Sequence, residues 1–195
     1  EIHEQPKVIE RMLKTRVKGR KILLDGIGLT EKQIQGIRQI CIVACGTAYH
    51  AGIVGKYVIE QLTGIPVNID VSSEFRYRDP IIDKKTLIVP ISQSGETADT
   101  LAAVKEARAK GAKVISICNV VGSSLVRVSD GVLYTHAGPE IGVASTKAYV
   151  AQLGMLYLLA IKLCDYHCRV AQRQRNVILR EFKKVPALYR GLLRA

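Results

Sequence analysis

The chain has 195 residues, of which 48% are apolar and 24% are charged, with 16 Gly and 6 Pro. This composition excludes the disordered, collagen-like and low-complexity classes of protein. The net charge of +12 falls mainly at the two ends of the chain, and neither a nucleic-acid-binding module nor interleaved aromatic residues accompany it. We therefore predict no nucleic-acid partner.

The cysteine content and the apolar stretches of the sequence indicate the cellular compartment of the protein. Five cysteines in a chain without a signal peptide predict a reduced, cytoplasmic protein. The longest apolar stretch, residues 148–163, is too short to span a bilayer, and Gln152 and Lys162 interrupt it. We predict no contact with a membrane.

The first forty residues predict a helix, a linker and a second helix. Apolar residues at helical spacing predict a helix over residues 3–17. A glycine-containing linker is expected over 19–28. Thr30 is placed to cap a short helix over 31–38.

From residue 40 onwards, five short apolar runs alternate with amphipathic stretches. Runs of this length are typical of parallel strands that are buried on both faces. The predicted strands are 40–45, 67–71, 86–91, 113–118 and 131–135, with helices over 47–62 and 97–110. The alternation predicts an α/β fold, with a parallel sheet between two layers of helices.

The last third of the chain is helical in pattern. Residues 145–163 are apolar nearly all round, which predicts a helix buried either in the core or in a subunit interface, and we expect self-association through it. Residues 170–193 predict a basic amphipathic helix interrupted at Pro186. We divide the chain into a helical segment (1–38), an α/β domain (39–165) and a basic helix (166–195).

Small polar residues follow the first and third strands of the predicted sheet. Ligands of such sheets bind at the carboxyl ends of strands. Thr47 and Ala48 follow the first strand, and Ser92-Gln93-Ser94-Gly95-Glu96-Thr97 follows the third and leads into a helix. Free backbone N–H groups and the helix dipole favour an anion there. The loop pattern suits a phosphate monoester.

Helix capping is the alternative explanation for these hydroxyls. One Ser or Thr is enough for a cap, so the three in Ser92, Ser94 and Thr97 favour a ligand. The Gly-x-x-x-x-Gly-Lys-Ser/Thr and Gly-x-Gly-x-x-Gly patterns are both absent, which argues against a nucleotide site. The tract 140–147, between Glu140 and Lys147, leads into the buried helix and is expected to approach the same pocket.

Other reactive side chains have simpler explanations. Cys45 ends a strand before a helix and is either a nucleophile or a small buried apolar residue, which is the commoner role. Glu74, Arg76 and Arg78 form either a catalytic cluster or an ion-pair network, and we favour the network.

A metal site is not predicted. Cys164, His167 and Cys168 fall at helical spacing, but a fourth ligand is not apparent. We predict neither a metal nor a cofactor.

Four segments together resemble sugar isomerase (SIS) domains and, more narrowly, the first SIS subdomain of the glucosamine-6-phosphate synthase family. They are Ala44-Cys45-Gly46-Thr47-Ala48-Tyr49-His50-Ala51-Gly52, Ser73-Glu74-Phe75-Arg76-Tyr77-Arg78, Ser92-Gln93-Ser94-Gly95-Glu96-Thr97-Ala98-Asp99-Thr100-Leu101, and Gly138-Pro139-Glu140-Ile141-Gly142-Val143-Ala144-Ser145-Thr146-Lys147-Ala148. Residues 1–6 are similar to the segment that joins the two catalytic halves of that family. The resemblance implies a three-layer, flavodoxin-like domain with extra terminal helices.

The resemblance also implies a function and a set of binding residues. The family transfers glutamine-derived ammonia to fructose 6-phosphate and isomerises it to glucosamine 6-phosphate, and we predict a homodimer that binds one of these sugar phosphates. The phosphate would be held by Thr47, Ser92, Gln93, Ser94 and Thr97, with the backbone of Val143 near the sugar. Ala48 stands where the family usually has Ser, which removes one hydroxyl donor.

The catalytic Glu, Lys and His of the family belong to a second subdomain and a C-terminal tail. None of them can be placed in this sequence, so we predict no catalytic residue here and no turnover by this chain alone. The alternative is an SIS-type regulatory module that senses a sugar phosphate without catalysis.

Overall fold

Helices and strands alternate along most of the chain in the computed structural model, which describes residues 1–167 and 169–194. The elements in chain order are α1 (Gln5–Arg16), β1 (Val17–Lys18), β2 (Lys21–Ile22), α2 (Glu31–Gln35), β3 (Gln39–Ala44), α3 (Gly46–Thr63), β4 (Val67–Val71), α4 (Ser72–Tyr77), β5 (Thr86–Ser92), α5 (Ala98–Ala109), β6 (Lys113–Cys118), α6 (Ser124–Arg127), β7 (Gly131–Tyr134), α7 (Lys147–Leu163), α8 (Gln172–Phe182) and α9 (Val185–Leu192).

Strands β3 to β7 form one parallel sheet in the order β4-β3-β5-β6-β7. The predicted α/β fold with a five-stranded parallel sheet is confirmed. The chain moves outward from β3 in one direction to β4 and in the other to β5, so the order reverses between β3 and β5. Ligands of doubly wound sheets bind at such a reversal, outside the carboxyl ends of the strands.

Two apolar clusters cover the two faces of the sheet. On one face, α1, α3 and α7 pack against the sheet in a core built largely from Ile, Leu, Val and Ala. On the other face, α4, α5 and α6 contribute residues such as Phe75, Val104 and Leu125. The helix layers on both faces bury the inner strands β3, β5 and β6, which explains the continuous apolar runs of β3 and β5.

Helix α7 is a core helix of this chain. Leu156, Leu159 and Ile161 are fully buried, and α8 covers the same helix, since the Phe182 ring lies 5.7 Å from the Tyr157 ring. The structure therefore favours the core over an interface as the reason why this helix is apolar nearly all round. The argument that self-association is needed to cover it is wrong, whereas the homodimer itself stays a prediction.

Several short elements differ from the sequence-based expectation. The segment expected to be a linker, 19–28, contains β2, which pairs antiparallel with β1, and Val17 of β1 was expected to end the first helix. Helices α4 and α6 were not predicted. The C-terminal helix breaks between Phe182 and Val185 rather than at Pro186, which lies in the first turn of α9, where proline costs no intrahelical hydrogen bond. Helix α7 begins at Lys147, two residues later than predicted.

Candidate functional site

A pocket of about 270 Å³ lies where the sheet order reverses, between the starts of α3 and α5. Gly46 has φ +57°, a left-handed conformation that favours glycine, and it turns the chain from β3 directly into α3. The pocket brings together all the residues predicted to contact a sugar phosphate. They are Thr47, Ala48, Ser92, Gln93, Ser94, Thr97 and Val143.

Helices α3 and α5 both begin at this pocket, and the first amides of each helix are unpaired in the described structure. In α3 the first intrahelical bond is donated by Tyr49 N to Cys45 O, and in α5 it is donated by Leu101 N to Thr97 O. The amides that precede these bonds have no acceptor within residues 1–167 and 169–194. They belong to Gly46, Thr47 and Ala48 in α3, and to Ala98, Asp99 and Thr100 in α5. Such unpaired donors, with the positive ends of two helix dipoles, favour an anion.

The hydroxyls of the loop before α5 brace the loop instead of capping the helix. Ser92 Oγ accepts a hydrogen bond from Gly95 N at 2.9 Å, and Ser94 Oγ accepts one from Glu96 N at 3.2 Å. The Thr97 side chain makes no capping bond to α5 and lies 3.5 Å from Ser92 Oγ. The capping alternative is therefore wrong for this helix.

Helix α6 holds the same loop from behind. Ser124 N donates to Glu96 Oε1 at 2.8 Å, and Leu125 N donates to Gly95 O at 3.0 Å. The Ser124 amide lowers the pKa of the Glu96 carboxyl by stabilising its charged form. At Gly95 (φ +71°) a Cβ would lie 2.1 Å from Ser123 Oγ, so only glycine fits this approach. These contacts fix the loop from the side of α6.

The opposite wall of the pocket is the tract before α7, as predicted. Glu140, Gly142, Val143 and Ser145 line it. The Glu140 carboxylate accepts hydrogen bonds from Ser145 Oγ at 2.8 Å and from Ala148 N at 3.1 Å. Because these donors occupy it, the carboxylate serves as a structural acceptor at the start of α7.

The first residues of the chain hold this wall from outside. Glu1 Oε1 accepts a hydrogen bond from Ile141 N at 2.6 Å, and Glu1 Oε2 accepts one from Gly142 N at 3.2 Å. Glu4 forms an ion pair with Lys147, the first residue of α7, whose side chain is only 5% exposed. We call these contacts of Glu1 and Glu4 the N-terminal clamp.

Three further side chains line the pocket, those of Cys45, Ile91 and Gln152, and none of them was predicted to bind the ligand. Cys45 is partly exposed in the wall. Gln152, on α7, is 3% exposed. The only sequence signal for Gln152 was its position as a polar residue inside an apolar helix.

The remaining candidates lie away from the pocket. Arg76 pairs with Asp99 and Arg78 pairs with Asp70, so ion pairs account for the two arginines, whereas Glu74 belongs to neither pair. His167 Nε2 lies 2.7 Å from the carbonyl oxygen of Ile34. Cys168 lies outside the described residues.

The described residues form neither a metal-binding cluster nor a helix that could span a membrane. No group of three or more His, Cys, Asp or Glu in that part of the chain is arranged to hold a metal ion. Nor does any described helix combine the length and the apolar character that a membrane crossing requires.

Comparison with known proteins yields consistent matches. Residues 33–162 match the model of the SIS domain. The glutamine–fructose-6-phosphate aminotransferase (isomerizing) of Clostridium acetobutylicum is 55% identical over 188 residues, which are 96% of this chain and 30% of that protein. The protein of the same name from Clostridium tetani is 54% identical over 187 residues, which are 95% of this chain and 31% of that protein.

A solved structure is also similar. The C-terminal domain of glucosamine-fructose-6-phosphate aminotransferase from Francisella tularensis matches with a TM-score of 0.91 and 39% identity, covering 99% of this chain and 54% of that one. These matches confirm the resemblance from which the binding residues were predicted. The chain spans less than a third of the length of the two curated relatives.

Proposed function

The chain belongs to the SIS domain family, and from this premise we propose that it binds fructose 6-phosphate through the phosphate group, in the pocket between α3 and α5. The observation that carries the proposal is the convergence of two helix N-termini with unpaired amides on one polar pocket. A phosphate presents only charged acceptor oxygens, and each hydrogen bond to a charged group is worth roughly 1.5–3 kcal/mol.

The hydroxyl and amide side chains supply further donors. Ser92, Gln93, Ser94 and Thr97 line the pocket from the loop before α5, and Thr47 lines it from the start of α3. No Lys or Arg belongs to the lining among the described residues. Neutral dipoles therefore bind the anion, which suits reversible binding of a metabolite.

We further propose that the longer protein is a glutamine–fructose-6-phosphate aminotransferase (isomerizing). The two relatives of that name described above are 54% and 55% identical to this chain. It would transfer nitrogen from glutamine to fructose 6-phosphate and isomerise the product to glucosamine 6-phosphate, without a cofactor, as a cytoplasmic homodimer. The high identity to named aminotransferases favours this activity over a regulatory sugar-phosphate sensor.

Within that enzyme, this domain would position the phosphate while other segments carry the proton transfers. Ring opening and isomerisation need an acid or a base within hydrogen-bond reach of the sugar. The acidic side chains of the described lining are Cys45 and Glu140, and Glu140 is held by Ser145 Oγ and by backbone amides. We therefore expect binding without turnover by this chain alone.

Amide chemical shifts of the isotope-labelled chain test the binding. Fructose 6-phosphate at millimolar concentration should shift the resonances of Ser92 to Thr97 and of Gly46 to Ala48, and inorganic phosphate should shift a subset of them. Fructose is the matched control and should leave them unchanged. Equal shifts with fructose, or no shifts in these two loops, would contradict the proposal.

A further inference from the structure

The amide oxygen of Gln152, a residue in the wall of the pocket, is buried and has no hydrogen-bond partner among the described residues. The residue is 3% exposed, and its Oε1 atom accepts no hydrogen bond from the described residues. Leaving a buried acceptor unpaired costs about 1–3 kcal/mol, and most buried polar groups in native proteins have a partner. An apolar side chain would fit the rest of α7, where Met155, Leu156 and Leu158 are fully buried.

Other buried side-chain oxygens without a partner lie elsewhere. Ser116 Oγ is on β6, Thr146 Oγ1 is at the start of α7, and Asn176 Oδ1 is on α8. None of these residues lines the pocket in the described structure. Gln152 therefore differs from these three residues, because it has an unpaired acceptor and also lies in the wall of the binding pocket.

An unpaired acceptor such as Gln152 Oε1 can be satisfied only by a ligand group that donates a hydrogen bond. The ionised phosphate group of a sugar monophosphate carries acceptor oxygens only, so it offers no proton to Gln152 Oε1. Inorganic phosphate has at most its own acid protons and none of the hydroxyl groups of a sugar. A sugar carries several hydroxyl groups, each of which can donate. The pocket volume of about 270 Å³ leaves room for more than a phosphate ion.

We infer that Gln152 accepts a hydrogen bond from a hydroxyl group of the bound sugar phosphate, and that it thereby favours a sugar phosphate over inorganic phosphate. The inference rests on the proposed function, since it requires that a sugar phosphate occupies the pocket. In this arrangement, α7 recognises part of the sugar, and the loops before α3 and α5 recognise the phosphate.

Calorimetric titration of the whole chain with fructose 6-phosphate and with inorganic phosphate tests the inference. Gln152→Met keeps an unbranched side chain and removes the amide. It should weaken fructose 6-phosphate binding roughly five- to tenfold and leave phosphate binding unchanged. The thermal midpoint should not fall, because an unpaired buried acceptor is lost. Ser116→Ala removes another unpaired buried oxygen outside the pocket and should alter neither affinity.

The possible results separate the two proposals. If the unchanged chain binds neither ligand, the proposed function fails and the inference fails with it. If the unchanged chain binds fructose 6-phosphate and Gln152→Met binds it equally well, or loses affinity for both ligands in proportion, only the inference is overturned.

If Gln152→Met does not fold, NMR spectroscopy of the unchanged protein can still test the inference. The side-chain amide resonances of Gln152 in the unchanged protein should shift with fructose 6-phosphate and not with inorganic phosphate. Equal shifts with both ligands, or none, would overturn the inference.

Discussion

The Glu140 carboxylate accepts a hydrogen bond from the backbone amide of Thr146 at 3.0 Å, which closes the tract in front of α7 into a ring. The Thr146 side chain makes no capping bond to the helix. Glu140 therefore supplies the acceptor that a helix N-terminus needs, from six residues upstream, and places a negative charge at the positive end of the helix dipole.

Removing this acceptor should loosen both the helix start and the pocket wall. We expect Glu140→Ala to cost about 1 kcal/mol, as the loss of an N-terminal cap does, and to lower the thermal midpoint by about 2–4 °C. Fructose 6-phosphate affinity should fall with it. Glu181→Ala, which removes an exposed partner of Lys184 on α8, is the control. Equal effects of the two substitutions on ligand affinity would contradict the role of Glu140.

Restoring a hydroxyl at Ala48 should tighten phosphate binding. Ala48 is the third residue of α3, is 7% exposed and lines the pocket. A new hydrogen bond to a charged oxygen makes Ala48→Ser bind fructose 6-phosphate and inorganic phosphate about tenfold more tightly. Calorimetry with both ligands measures this gain. Ala51→Ser, one turn further along α3, should give no gain. Unchanged affinity for both ligands would mean that position 48 does not face the phosphate.

Cys45 should be the thiol that the ligand protects from alkylation. It is partly exposed in the pocket, whereas Cys41, Cys118 and Cys164 are buried. Burial raises the pKa of the Cys41 thiol to about 12, with a smaller contribution from Asp70. Iodoacetamide should therefore modify Cys45 well before Cys41, and saturating fructose 6-phosphate should slow that modification severalfold, as peptide mass spectrometry can show. Fructose is the control, and modification that the sugar phosphate leaves unaltered would exclude Cys45 from the binding site.

The N-terminal clamp should make stability depend on pH in the acid range. The amides of Ile141 and Gly142 lower the pKa of the Glu1 carboxyl from its usual 4.5, and the hydrogen bond from Lys147 lowers that of Glu4. Below about pH 4.5 the unfolded chain therefore binds more protons than the folded chain at these groups. Their contribution is complete above that pH and is lost as the pH falls through the lower pKa of the folded state.

Thermal unfolding between pH 7 and pH 3 tests this dependence. Glu4→Gln should lower the midpoint at pH 7, because the buried Lys147 loses its partner, and should make the decline at acid pH shallower. Glu10→Gln is the matched control on α1, since Glu10 pairs with the exposed Arg190. A decline that Glu4→Gln does not alter would show that the pair of Glu4 with Lys147 contributes nothing to acid stability.

The sheet and the ligand loops could be predicted because each depends on a pattern within a short stretch of sequence. Strands β3 and β5 are buried on both faces, so they appear as continuous apolar runs. The loops that follow them contain small polar residues at the carboxyl ends, where the topology of such sheets places a ligand.

The remainder of the site depends on contacts between distant segments. The pairing of Glu1 with Ile141 leaves no local pattern, and the same holds for the unpaired acceptor of Gln152. The hairpin β1–β2 has two residues in each strand, Val17–Lys18 and Lys21–Ile22, which is too short for an alternating pattern. The apolar surface of α7 indicated burial, but it could not reveal that α1, α3 and α8 of the same chain provide the cover.

The N-terminal clamp also has a consequence for the order of folding. Its contacts join residues 140 to 143 positions apart, and contacts of such sequence separation carry a high loop-closure cost and form slowly. During synthesis, Glu1 and Glu4 leave the ribosome long before Ile141 and Lys147 exist. We therefore expect the ligand pocket to mature after the sheet, so that the recovery of ligand binding lags behind the recovery of secondary structure when the chain refolds.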